Sequence, residues 1–258
     1  MTDLLRYRDL VLALVARDLK VRYRRSMIGF VWTMLQPLLT MLVLRTVFST
    51  LFQAKSTEVP YNYAVFVLAG LLFWNFFSQS IVSSMNSLRG NAGLLQKLPV
   101  PTIVFPVATV LSGLVNLVLA LVPLFLILLV TGHPLRPSLF FLPVSILLVA
   151  VFTLGAGLLL APLAVFFSDV VELVGMLLTL LMYLTPIIYP KDIVPADWRW
   201  IVRFNPIRSI LEVFRDPIYQ GEIPPLSHLG VAVGVAVLAL VIGSVVFTRT
   251  SDRIPFYV

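Results

Sequence analysis

Few side chains in this 258-residue chain could do chemistry of their own. Among soluble-face carboxylates, Asp169 and Glu172 are the pair whose spacing puts both on a single helical face. Such a pair could share a proton, or it could serve as a solvated, dipole-favoured start to a helix. The lysines are Lys20, Lys55, Lys97 and Lys191, and none sits in the glycine-rich context of a phosphate loop. There is no His-Glu-x-x-His and no Gly-x-Ser-x-Gly. Cysteine is absent, which excludes thiolate metal sites and thiol catalysis. His133 and His228 lie too far apart in sequence to form a ligand spacing. The residue types predict no catalytic site, no metal site and no enzyme activity.

What the chain does carry is a dense cationic segment, Arg17-Asp18-Leu19-Lys20-Val21-Arg22-Tyr23-Arg24-Arg25, followed almost at once by a long apolar run. Basic residues at the start of a first membrane span hold that end in the cytoplasm. They also make a surface that can lie on anionic lipid or dock a soluble partner. Composition agrees on the environment: 59% of residues are hydrophobic and 12% charged, with a mean hydropathy of +1.00. A soluble domain carries about 25% charged residues. The formal net charge of +7 is concentrated beside the apolar runs, so it predicts orientation in a membrane and not nucleic-acid binding.

The elements that must position these residues are helices. Residues 3–25 read as an amphipathic interface helix, with Leu4, Tyr7, Val11, Leu14 and Val15 on one side. Six runs approach the roughly 20 apolar residues a crossing requires, at 28–52, 63–83, 104–131, 139–167, 171–189 and 229–248. Lysines and arginines favour 1–27, 84–103 and 249–258, which predicts both termini in the cytoplasm. The short apolar patch at 10–16 is followed by charges and no small-residue cleavage site, so the N-terminus is expected to persist. Arg45 is the charge inside the first run; it either faces a cavity or partner or snorkels to the interface.

Two connecting segments have structure of their own. In 84–101, Gly90 and Gly93 permit a bend, Pro99 and Pro101 stop the chain, and Leu94, Leu95 and Leu98 offer an apolar knob. In 190–227, the apolar positions repeat helically and break at Asn205-Pro206, predicting one or two short re-entrant helices bracketed by Pro195 and Pro217. The cations of that loop are balanced by its acids: Lys191, Arg199, Arg203, Arg208 and Arg215 against Asp192, Asp197, Glu212, Asp216 and Glu222. The aromatics Trp32, Phe73, Trp74, Phe76, Phe77, Tyr183, Tyr189, Trp198 and Trp200 either stack on sugar rings along a pore or form interfacial belts.

The basic segment followed by Gly29-Phe30-x-Trp32-x3-Gln36-Pro37 resembles the opening of ABC-2-type permeases that export polysaccharides. Lys97-Leu98-Pro99-Val100-Pro101, Asp169-Val170, the run Leu184-Thr185-Pro186-Ile187-Ile188-Tyr189-Pro190, then Asn205-Pro206 and Arg215 extend the resemblance over nearly the whole chain. Ser168 stands where that family often has Arg.

The resemblance implies an all-α polytopic inner-membrane protein of six spans. It implies a homodimer driven by two copies of a separate ABC ATPase, which would hold ATP and Mg. The segments meeting that ATPase would contribute Arg17, Lys20, Arg22, Arg24 and Arg25, then Arg89, Leu94, Leu95, Lys97 and Leu98. A lipid-linked polysaccharide, O-antigen before capsule or teichoic acid, would pass between the first and fifth helices of two protomers. Phe30, Trp32, Phe73, Trp74, Phe77, Tyr183 and Tyr189 would line its path. Pro186, Trp198, Trp200 and Phe204 would form an outer gate. The alternatives are export of a small hydrophobic drug or lipid by the same mechanism, and an ion-coupled secondary transporter. The last usually needs titratable residues near the midplane, which are scarce here.

Overall fold

The computed structural model describes residues 6–23, 31–54, 62–97 and 100–257, and these are mostly helical, without strands. Helix α1 spans Arg8–Tyr23, α2 Val31–Ala54, α3 Tyr63–Gly90 and the single turn α4 Ala92–Leu95. Then come α5 (Val104–Val130), a 3-10 turn (Pro137–Phe141) and α6 (Leu142–Phe166). Helix α7 (Val170–Leu184) leads into short turns, α8 (Arg199–Phe204), α9 (Pro206–Tyr219) and α10 (Leu226–Thr250). Four of these are long and apolar enough to cross a membrane: α3, α5, α6 with its preceding turn, and α10. Two further apolar stretches, Met34–Val47 within α2 and Val170–Leu184, are shorter. Fifteen residues of α7 reach about 22 Å, less than the roughly 30 Å hydrocarbon core.

Helix α3 is the central post. Every residue from 63 to 74 is buried, and the helix packs against α2, α5, α6, α7 and α9. A helix apolar on all sides belongs in the middle of a bundle, and this one is. Its first residue is preceded by Asn62 in the left-handed region (φ 59°), a conformation asparagine tolerates, and the Asn62 amide donates to Thr131 Oγ1 at 2.6 Å. The span expected to end at 83 runs on to Gly90, because residues 84–88 still bury Ser84, Met85, Ser87 and Leu88.

Helices α6 and α10 approach most closely at Gly155 and Gly243. A Cβ on Gly243 would run into the Gly155 carbonyl, and one on Gly155 into the Ala239 backbone. Small residues that let backbones touch are how apolar helices associate where lipid removes the hydrophobic drive. A second apolar cluster at the other end of the bundle joins α1 to α5 and to the chain's last turn. It contains Val11, Leu14, Leu88, Leu95, Phe105, Phe247 and Ile254.

Candidate functional site

The chain breaks at the end of α7. Thr185 leaves the helix in an extended conformation, Thr185 and Ile187 are fully buried, and the broken segment lies on α3. Gly70 makes room for it: a Cβ there would meet Ile187 at 3.0 Å. Backbone released from a helix inside a membrane protein needs other partners. Arg215 Nη1 donates to the Pro186 carbonyl at 2.7 Å, and its guanidinium sits 4.1 Å over the Phe66 ring. Tyr63 Oη donates to the Ile188 carbonyl at 2.6 Å. The Asn205 side-chain amide donates to Thr185 Oγ1 at 2.9 Å while its carbonyl oxygen accepts from Ile207 N at 3.0 Å. That second bond caps α9, with Pro206 at the first helical position. Asn205-Pro206 thus starts a helix and fastens the preceding break with one side chain.

Burial lowers the Arg215 pKa to about 10, against the opposing pull of Asp216 and Glu212. Asp216 is pushed up to about 6 by burial, with Arg215 pulling the other way. Arg215 therefore stays charged at neutral pH in a site only 7% exposed.

Pro217 does not bracket the re-entrant segment but lies inside α9. A proline there cannot donate to the Val213 carbonyl four residues back. Ser145 on α6 supplies the missing donor, its Oγ bonding Val213 O at 2.7 Å. Ser138 Oγ likewise donates to the Pro217 carbonyl at 2.9 Å, and a His133 ring nitrogen bonds the Tyr219 carbonyl at 3.0 Å. The helix continues through its proline because the neighbouring chain satisfies it. Ser145→Ala should leave that buried carbonyl unpaired and cost about 1–3 kcal/mol, read as a lowered melting temperature in detergent; an unchanged melting temperature would count against this role.

At the opposite end, Arg17 Nη1 donates to Asn91 Oδ1 at 2.8 Å, and Asn91 Nδ2 donates to the Ser87 carbonyl at 2.7 Å. This ties α1 to the turn after α3. Arg89 Nη2 reaches the Val165 carbonyl at 3.2 Å. Arg17, Lys20, Arg22, Arg89 and Lys97 are exposed around this joint. Within the expected apolar knob, Leu95 is 8% exposed and Leu94 packs partly against the same cluster. The reason is that α1 and α5 supply an apolar seat close by. Arg24, Arg25 and Leu98 lie outside the described residues, as does Phe30; the Trp32 side chain is likewise outside them.

The structure separates the aromatics into two groups. Phe73, Trp74 and Phe77 are packed inside the bundle, with Phe73–Phe77 and Phe77–Phe152 ring centroids at 6.1 and 5.4 Å. As residues of the central post they are covered in the single chain. Tyr183 is exposed and Tyr189 half-buried, the Tyr189 hydroxyl donating to the Tyr183 carbonyl at 2.8 Å. Pro186 is buried in the knot, whereas Trp198, Trp200 and Phe204 are exposed. Arg45 is exposed on α2 beside Leu42, Val43 and Val47. Asp169 and Glu172 are exposed at the start of α7, with Ser168 Oγ donating to Asp169 Oδ1 at 3.0 Å, an arrangement fitting a solvated helix start.

Sequence reasoning missed a cleft of about 810 Å³ between α1, α2, α3 and α5, whose mostly apolar lining carries a set of polar side chains. Gln36, Asn75, Gln79, Thr109, Ser112 and Asn116 line its wall, and Arg17 and Arg22 stand at one end. The signal was available. Asn75 and Gln79 recur at i, i+4, and Thr109, Ser112 and Asn116 at i, i+3, i+7, each a polar stripe in an apolar run.

A family model described as ABC-2 type transporter matches residues 9–219. The O-antigen export system permease protein RfbA of Myxococcus xanthus is 33% identical over 254 residues, covering 97% of this chain and 96% of the relative. A protein of the same name from Klebsiella pneumoniae is 28% identical over 248 residues, covering 95% and 93%. The polysialic acid transport protein KpsM of Escherichia coli is 24% identical over 242 residues, covering 93% of each.

Proposed function

Because this chain belongs to the ABC-2 type transporter family, we propose that it is the permease subunit of an ATP-driven exporter of lipid-linked polysaccharide. The observation carrying the reading is similarity over almost the full length of both partners to permeases named for O-antigen export and for polysialic acid transport. O-antigen is the favoured cargo, since the two relatives with higher identity carry that name.

In this reading α2 and α7 are the first and fifth of six spans, the break after α7 completing the crossing. Both termini lie in the cytoplasm and the segment 190–225 faces outward. The membrane is the cytoplasmic one. Two copies form the conduit, α2 and α7 of one facing those of the other. Those helices leave wide faces uncovered in the single chain, among them Leu39, Leu42 and Val43, then Met176, Leu180 and Tyr183. Arg45 sits on the α2 face and gives the wall a polar point that passing sugar can use. Few charges and exposed aromatics suit a polymer that must slide and not lodge.

Two copies of an ABC ATPase, holding ATP and Mg, dock on the joint between α1 and the turn at Asn91. Lys20, Arg22 and Lys97 stand at its surface, and Arg17 links the two sides. Rigid-body movement of that joint carries the ATPase closure into the bundle.

The test is reconstitution of the chain with its ATPase in proteoliposomes bearing a lipid-linked glycan. ATP-dependent movement of the glycan is expected; transport of a small hydrophobic dye with none of glycan would favour the drug or lipid reading. Tyr183→Ala should slow glycan movement several-fold at unchanged melting temperature. Equal rates would remove Tyr183 from the path.

A further inference from the structure

The outer segment is balanced in sequence but not in space. On folding, part of its charge is paired and part is left around one cleft. Arg215 and Asp216 are buried together beside the α7 break. Four other cations gather around a cleft of about 610 Å³ where α8, α9 and the start of α10 meet: Lys191, Arg199, Arg203 and Arg208, with His228 on the rim. Glu212 is the lining carboxylate, and it is taken by Arg208 at 2.8 Å. Lys191, Arg199 and Arg203 make no ion pair among the described residues, and all three are exposed. Like charges held around one concavity repel, and an anion in the cleft relieves that repulsion.

The surroundings of the cleft say what kind of anion. Trp198, Trp200 and Phe204 beside it are 59%, 59% and 78% exposed, the pattern of aromatic anchors at headgroup level. Val231 forms part of the lining, and below it Leu238 continues an outward apolar face down α10. A polar anionic head on a hydrocarbon tail matches both halves of this site. A free anion would use only one.

We propose that the cleft binds the phosphate headgroup of an anionic phospholipid, held by Lys191, Arg199 and Arg203, with its acyl chains along Val231 and Leu238 of α10. The bound lipid fixes α8 and α9, and with them the segment fastened to the α7 break, to the membrane surface. The site is independent of the cargo, so it stands or falls apart from the export reading.

The experiment uses the purified full-length chain in detergent, titrated separately with phosphatidylglycerol and phosphatidylcholine and read by native mass spectrometry. The comparison protein carries Lys191→Gln, Arg199→Gln and Arg203→Gln together. Phosphatidylglycerol should be preferred by the wild type. Its binding should fall about a hundredfold in the triple variant, since each cation near an anionic lipid contributes about fivefold. Phosphatidylcholine binding should not change. The melting temperature without added lipid should match the wild type, because all three side chains are exposed; if the triple variant melts early, Arg203→Gln alone should still lower phosphatidylglycerol binding about fivefold. Equal binding of the two lipids, or undiminished phosphatidylglycerol binding in the variants, would overturn the proposal. So would glycerol 1-phosphate displacing the lipid at equal concentration, which would assign the cleft to a free phosphate group.

Discussion

Arg215→Ala should loosen the end of the bundle that holds the α7 break and abolish export. The side chain makes the bond to the Pro186 carbonyl and covers the Phe66 ring, and its charge offsets Asp216 next to it in the buried site. Removing one member of a buried charged group costs about 3–5 kcal/mol, because the remaining charge stays uncompensated. That is a large share of the roughly 5–15 kcal/mol by which folded proteins are stable. The loss should appear as a lower melting temperature in detergent together with loss of glycan transport. Arg215→Lys should fall between the two, since an ammonium keeps the charge but not the flat group that stacks on Phe66 while bonding Pro186. A melting temperature equal to wild type for Arg215→Ala would refute the role given to this side chain.

The second large effect is expected at the joint between α1 and the turn at Asn91. Arg22→Glu combined with Lys97→Glu should strip the ATPase from the purified complex and stop transport, while the chain itself melts normally. Both side chains are exposed, so the folded bundle gives up little when they change. Reversal replaces attraction by repulsion at a contact that must close against a partner, where misplaced charge is costly. Gln at both positions should weaken association less and make it less salt-sensitive. If the doubly reversed chain still retained a full complement of ATPase, the docking surface would have to lie elsewhere. Leu95→Asp is a poor probe of docking, because Leu95 belongs to the apolar cluster under α1.

Much of this arrangement could be read from the chain. Helical periodicity located Val11 and Leu14 on the covered face of α1, and the apolar runs located the long helices to within a few residues at most ends. Asn205-Pro206 was legible as a break in the helical pattern, and the structure shows that the same two residues cap and begin α9. Local rules failed where a neighbour decided the outcome. Pro217 looked like a stop until Ser145 supplied a donor from another helix. Leu95 looked like a knob until α1 and α5 gave it a seat. Trp74 and Phe77 are covered because their helix is the central one, which composition alone does not say. The outer loop looked neutral because counting charges along a chain does not show which ones folding sets side by side.

Helix α3 touches both ends of this machinery. Its first turns carry Tyr63, Phe66 and Gly70, which hold the α7 break, and its last turn ends at Asn91, which Arg17 grips. The 28 residues between them span about 42 Å and contain no proline, unlike α2, α5 and α6. A kinked helix absorbs displacement at its hinge, whereas this one has none to yield. A tilt imposed at Asn91 should therefore reach Tyr63 along a single unkinked rod. The two ends of the bundle are thereby linked through one unbroken helix.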